Sequence, residues 1–277
     1  MKIALTSTPS QARFAPILLR GGIDDAFALA AELGYDGVEL HLRQPRDIDG
    51  AAARKLCAQY GLGVPTLGTG MAAGEDGLTF SDPDPSVRRR AVERIQENIV
   101  LAASLDSAVT IGLVRGRLGN DPQQRPARRA AGMACLDECC QSARACGVTL
   151  LLEPINRYET DYLNTIEESL DAIEEIGAPN LKVLADTFHM NMEEVDMAAA
   201  LRRAGSRLGH VHLVDSNRRA PGYGHLDMRS ILQALRGIHY QGYLSFEVLP
   251  LPESRQAARD AIGFTRGLLE VISHEPG

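Results

Sequence analysis

VTLLLEPINRYETDYLNTIEESLDAIEEIG, residues 148–177, holds one whole structural unit: an apolar run, a loop and a helix. The run VTLLLEP (148–154) has the aliphatic and β-branched content of a buried strand, and it closes on a carboxylate, Glu153. After the loop, Thr165 and Glu168 have the Thr-x-x-Glu spacing of a capping box, and Gly177 is the usual helix stop. A strand that runs into a helix returns to the same sheet as a right-handed crossover, beside a parallel neighbour.

The unit recurs along the chain. Strand patterns fall at 2–7, 37–42, 64–69, 108–114, 148–154, 181–186, 208–215 and 243–248. Helical spacing lies between them, as in DDAFALAAELG (24–34), SVRRRAVERIQENIVLAASL (86–105) and ESRQAARDAIGFTRGLLEVI (253–272). Eight strand–helix pairs in strict alternation predict an α/β fold, a single (β/α)8 TIM barrel spanning residues 1–277 as one domain. A doubly wound dinucleotide fold would want GxGxxG after the first strand, and the sequence has none there. The segment GMAAGEDGLTFSDPDPS (70–86) is read as a long loop after the third strand, suited to covering a site.

Composition narrows the function. The chain has 277 residues, 44% apolar and 23% charged, which suits one globular core. A net charge of −7 argues against a general nucleic-acid binder. Five cysteines without a CxxC pair read as core thiols of a reducing, cytoplasmic compartment, and no run approaches a membrane span.

Four strand patterns end on residues able to bind a metal: Glu153, Asp186 (in VLADTFHM), His212 (in GHVHLVDSN) and Glu247 (in YLSFEVLP). In a closed parallel barrel these strand ends converge on one mouth. Three carboxylates and one imidazole make a hard, oxygen-rich donor set for one divalent ion, Mn2+ first, with Mg2+ or Co2+ as alternatives. His210 shares a strand face with His212 and is expected to pack one layer deeper. Glu159, His189 and Arg218 follow three of the four ligands by three or six residues and are read as substrate-holding. Arg115, Arg117 and Arg219 are read as added positive charge at the mouth, suited to an anionic substrate group such as a carboxylate.

The runs EPINRYETDYLNT (153–165), ADTFHMNMEE (185–194), HVHLVDSNRRAPGYGHLD (210–227) and FEVLPLP (246–252) resemble the xylose isomerase-like barrels. Within them they are similar to the ketose 3-epimerases, the D-tagatose and D-psicose 3-epimerase group. IGLVRGR (111–117) and SNR-x-APG-x-GH (216–225) resemble the 5-keto-L-gluconate epimerases in particular. The resemblance implies that Glu153 and Glu247 both bind the metal and act as the acid–base pair, with Asp186 and His212 completing the ligands. It implies substrate contacts for Glu159, His189 and Arg218, a small sugar or sugar acid as partner, and a dimer or tetramer. A sugar isomerase on the same scaffold and a non-catalytic sugar-binding barrel remain alternatives. A three-zinc nuclease of the endonuclease IV kind would need more than the seven histidines present.

Overall fold

The computed structural model describes residues 1–11 and 16–274. In chain order the strands are β1 (Lys2–Thr8), β2 (Leu19–Arg20), β3 (Gly37–His41), β4 (Thr66–Gly68), β5 (Ala108–Ile111), β6 (Leu150–Leu152), β7 (Leu181–Asp186), β8 (Leu208–His212) and β9 (Tyr243–Phe246). The helices are α1 (Ile23–Leu33), α2 (Gly50–Tyr60), α3 (Gly70–Gly74), α4 (Pro85–Leu105) and α5 (Arg125–Ala145), then α6 (Ile166–Ile176), α7 (Thr187–Glu193), α8 (Met197–Ala204), α9 (Met228–Gly237) and α10 (Ser254–Ser273). Every strand pairing is parallel, and β1 pairs with β9 through Ala4↔Ser245, so the sheet closes into an eight-stranded barrel inside a ring of helices. The two-residue β2 extends β1 at Ser7↔Leu19 and was not expected from the sequence.

Local chemistry sets the element ends. Thr165 and Glu168 do form a capping box at α6, and Gly177 ends it at φ 68°, a left-handed conformation that glycine adopts without strain. The strands are buried on both sides, β3 throughout, which is why they read as nearly unbroken apolar runs. Removing one such side chain, for instance Leu152→Ala, costs about 2–5 kcal/mol, since the packed barrel cannot collapse onto the gap.

One irregularity aligns the site. The β7–β8 pairing passes from Val183↔Leu208 to Leu184↔His210, leaving Gly209 as the extra residue and bringing Asp186 level with His212. A Cβ at Gly209 would meet the Leu151 side chain at 2.5 Å, so the bulge needs glycine.

The loop reading of 70–86 holds for 75–84, which form neither helix nor strand, but the segment is not free at its ends or in its packing. Its first turn is α3, and Leu78 and Phe80 are buried in the core, with the Phe80 amide donating to the Val114 carbonyl. Arg43 and Arg94 both grip Asp76. Two apolar anchors and a bidentate clasp make this a packed wall, not a free cover. Among the described residues no helix is long and apolar enough to cross a membrane.

Candidate metal and proton-transfer site

Asp186 and His212 are the last residues of β7 and β8, while Glu153 and Glu247 lie one residue past β6 and β9. All four therefore reach the same mouth of the barrel. One ligand atom from each lies within 4.8 Å of the others. His212 Nδ1 is 3.6 Å from Glu153 Oε1, 3.7 Å from Asp186 Oδ2 and 3.9 Å from Glu247 Oε2. These spacings are too long for hydrogen bonds.

Two of the buried atoms, Asp186 Oδ2 and His212 Nδ1, have no hydrogen-bond partner at all. An orphaned buried donor or acceptor costs about 1–3 kcal/mol, and two facing the same gap need a common explanation. A divalent cation held between them accounts for both. The donor set, three carboxylates and an imidazole, fits such an ion.

Three of the four candidate ligands are held by contacts of their own. Asp186 caps α7, its Oδ1 accepting from the Phe188 amide, which leaves Oδ2 pointing at the gap. The Glu153 amide is held by the Ile111 carbonyl, and its side chain lies against Gly112, where a Cβ would come within 2.6 Å of Oε2. His212 Nε2 contacts Glu39 Oε1 at 3.0 Å.

The surrounding charges push the two glutamates apart. Burial raises the Glu153 carboxyl, but His212 and His189 more than reverse this and hold it below the usual range. For Glu247 burial prevails over Arg218, His212 and His41, and its carboxyl is pushed up to about 7. Asp186 is held well down, because Arg218 and His189 outweigh its burial. His212 is raised well above an ordinary imidazole, burial being overcome by Glu39, Asp186 and Glu153.

The residues read as substrate-holding gather around the same gap. Arg218 stands at φ 61° in a loop organised by Asp215, whose carboxylate accepts from the amides of Ser216, Gly222 and Leu226. Its guanidinium donates to Glu247 Oε2, passes 3.5 Å from Asp186 Oδ2 and stacks 4.5 Å over the Phe188 ring. Asn156 donates to Glu159 Oε1 at 2.9 Å and meets His189 Nδ1 at 2.7 Å. The Asn156 carbonyl oxygen accepts the Tyr158 amide, and Arg218 Nη1, which can only donate, meets His189 Nε2 at 3.3 Å. Glu153, Glu159, His189, His212, Arg218 and Glu247 all line one cavity of about 270 Å3, walled on its apolar side by Ile17, Met71, Leu113, Ile155 and Phe188.

The three arginines separate. Arg115 does not face the mouth: it is buried and donates to the carbonyls of Gly112, Tyr162 and Leu163 at 2.9–3.0 Å. Burial lowers its guanidinium to about 10, and each of its three nitrogens is engaged by a backbone carbonyl. Arg219 stacks on Tyr223 and does not line the cavity. Arg117 borders an adjoining cavity of about 430 Å3, shared with Arg128 and Glu159, and donates to the Glu159 carbonyl.

Sequence reasoning missed a second set. Glu39 and His41 of β3 point into the barrel beneath the gap, with Glu39 fully buried and His41 lining the cavity. The signal was present: a Glu and a His two apart within the otherwise apolar GVELHL, the same period that placed His210 under His212. His210 does lie in that lower layer, 2.8 Å from Glu39 Oε2.

Comparison with known proteins follows this geometry. The profile of the xylose isomerase-like TIM barrel family matches residues 27–268. The chain is 38% identical over 221 residues to the D-psicose 3-epimerase of Enterocloster bolteae, covering 76% of this chain and 71% of that one. It is 34% identical over 227 residues to the L-ribulose 3-epimerase of Mesorhizobium japonicum, covering 81% and 75%. The crystal structure of a D-allulose 3-epimerase from Methylomonas sp. superposes with a TM-score of 0.82 at 27% identity, over 97% of this chain and 98% of that chain.

Proposed function

Because the chain belongs to the xylose isomerase-like TIM barrel family, we propose that it is an isomerase that inverts C3 of a ketose or keto-sugar acid with one divalent metal ion. The observation that carries this reading is the pair of opposed carboxylates, Glu153 and Glu247, flanking a gap lined by unpartnered donor atoms. Relatives named as 3-epimerases at 34–38% identity support it.

Inverting a carbon beside a carbonyl means removing its proton from one face and returning one to the other. One of Glu153 and Glu247 takes the proton and the other, carrying a proton at the outset, returns one to the opposite face; on the reverse passage they exchange roles. Glu153, Asp186, His212 and Glu247 would hold the metal, which would supply Lewis-acid stabilisation of the negative charge that develops on the substrate oxygens. Mn2+ is the ion best suited to the set, with Mg2+ and Co2+ next.

The remaining residues orient the sugar. Arg218 presents its guanidinium and Glu159 a carboxylate oxygen, with the His189 imidazole lining the same cavity, so hydroxyls find both donors and an acceptor. The apolar wall excludes water from the reacting carbon. Arg117 beside the adjoining cavity favours a substrate whose far end is anionic, of the 5-keto-L-gluconate or D-tagaturonate kind. Glu153→Gln tests the assignment: turnover falls by about 10²–10⁴-fold and metal affinity falls with it. Full activity in that variant contradicts it.

A further inference from the structure

Glu39 lies fully buried on β3, inside the barrel and below the four ligand residues. Its carboxylate meets three imidazoles: Oε1 lies 2.9 Å from His41 Nε2 and 3.0 Å from His212 Nε2, and Oε2 lies 2.8 Å from His210 Nε2. A carboxylate has no proton to give, so each of these nitrogens carries the hydrogen. The consequence for His212 and His41 is the same: in the neutral imidazole Nε2 carries the hydrogen and Nδ1 is bare.

The bare nitrogens face the gap. His212 Nδ1 looks at Glu153, Asp186 and Glu247 from 3.6–3.9 Å. Those three carboxylates would draw the proton to Nδ1 if nothing held it on the other side. Glu39 alone stands at hydrogen-bond distance, and that contact decides the tautomer. His41 Nδ1 stands 3.7 Å from Glu247 Oε1. The ring fits there because β4 has glycine at position 68, where a Cβ would come within 2.5 Å of Nδ1.

We propose that Glu39 is a positioning residue of this site: by holding three imidazoles as Nε2–H donors it presents His212 Nδ1 to the metal and turns the His41 ring toward the same gap. This rests on the metal reading of the site. Carboxylates that accept the far N–H of a metal-bound imidazole raise its basicity and fix its ring, and their loss costs about 10–100-fold in metal affinity.

The test has two parts. In metal-free protein labelled with 15N-histidine, at alkaline pH, the ring resonances report which nitrogen carries each proton. His41, His210 and His212 are expected as Nε2–H tautomers; an Nδ1–H tautomer at His41 or His212 overturns the proposal without any variant. Titration of Mn2+ into Glu39→Gln is then expected to show about 10–100-fold weaker binding than wild type. Equal affinity with intact fold overturns it as well. If that variant does not fold, the wild-type tautomers decide alone. A sugar-inactive protein that binds Mn2+ and shows these tautomers sinks the epimerase reading and leaves Glu39's role standing.

Discussion

Asp186 Oδ2 and His212 Nδ1 face each other at 3.7 Å, both buried and both without a hydrogen-bond partner. The β7–β8 bulge at Gly209 brings them level. Everything proposed for the site turns on what fills that gap.

Filling it displaces protons. In the metal-free protein Glu247 is pushed up to about 7 and His212 lies well above an ordinary imidazole, so near neutrality both groups are still partly or wholly protonated. A cation competes with a proton for each of these donor atoms. Metal affinity therefore rises with pH through about 7 and falls as pH drops below it. Calorimetric titrations in buffers of different ionisation enthalpy are expected to show proton release on binding. A pH-independent affinity contradicts this.

Metal removal should also be felt in the fold. Three carboxylates left facing one another repel, and a ligand bound only by the native state stabilises it by mass action. The Tm is expected to rise with added Mn2+ and to return on chelation. An unchanged Tm at saturating metal contradicts the site.

Gly112→Ala separates stability from chemistry. The added Cβ would come within 2.6 Å of Glu153 Oε2, the free end of a side chain that can swing away. Stability is expected to change by about 1 kcal/mol or less, while kcat falls at least about tenfold because Glu153 leaves its position. Thermal melts and kinetics on the same preparation read both.

Arg115→Met tests a reading that the structure overturned. The variant orphans the carbonyls of Gly112, Tyr162 and Leu163, at about 1–3 kcal/mol for each one left dry. Its signature is a lowered Tm with little preference between acidic and neutral sugars gained or lost. A selective rise in KM for sugar acids would restore Arg115 to the substrate.

Much of this was legible in the sequence, and the misses have physical reasons. Strand-end carboxylates announce themselves because a charge closing an apolar run has to face somewhere polar, so Glu153, Asp186, His212 and Glu247 could be read from the alternation alone. Arg115 could not: three backbone carbonyls that consume a guanidinium leave no mark in residue type. Glu39 and His41 were visible as polar residues at strand period, but a buried Glu reads as an exposed one until its three partners from two strands are placed around it. The segment 70–86 looked like a loop because Gly and Pro punctuate it; the burial of Leu78 and Phe80 is a tertiary fact.

Asp215→Asn probes the loop that carries Arg218. The amide's NH2 replaces one of the two oxygens, so either the Gly222 amide or those of Ser216 and Leu226 lose their acceptor, and the variant loses about 1–3 kcal/mol. With Arg218 loosened, KM is expected to rise more than kcat falls. The opposite split would move Arg218 from holding substrate to acting on the reacting centre.

The most direct measurement is isotope incorporation. Metal-stripped and Mn2+-restored protein are incubated in D2O with a panel of ketoses and keto-sugar acids, and the products are separated and weighed by mass spectrometry. Deuterium at C3 of a new epimer, present only with metal and absent in Glu153→Gln, is the predicted result. Deuterium appearing in an aldose, or no exchange into any sugar while Mn2+ binds tightly, would contradict it.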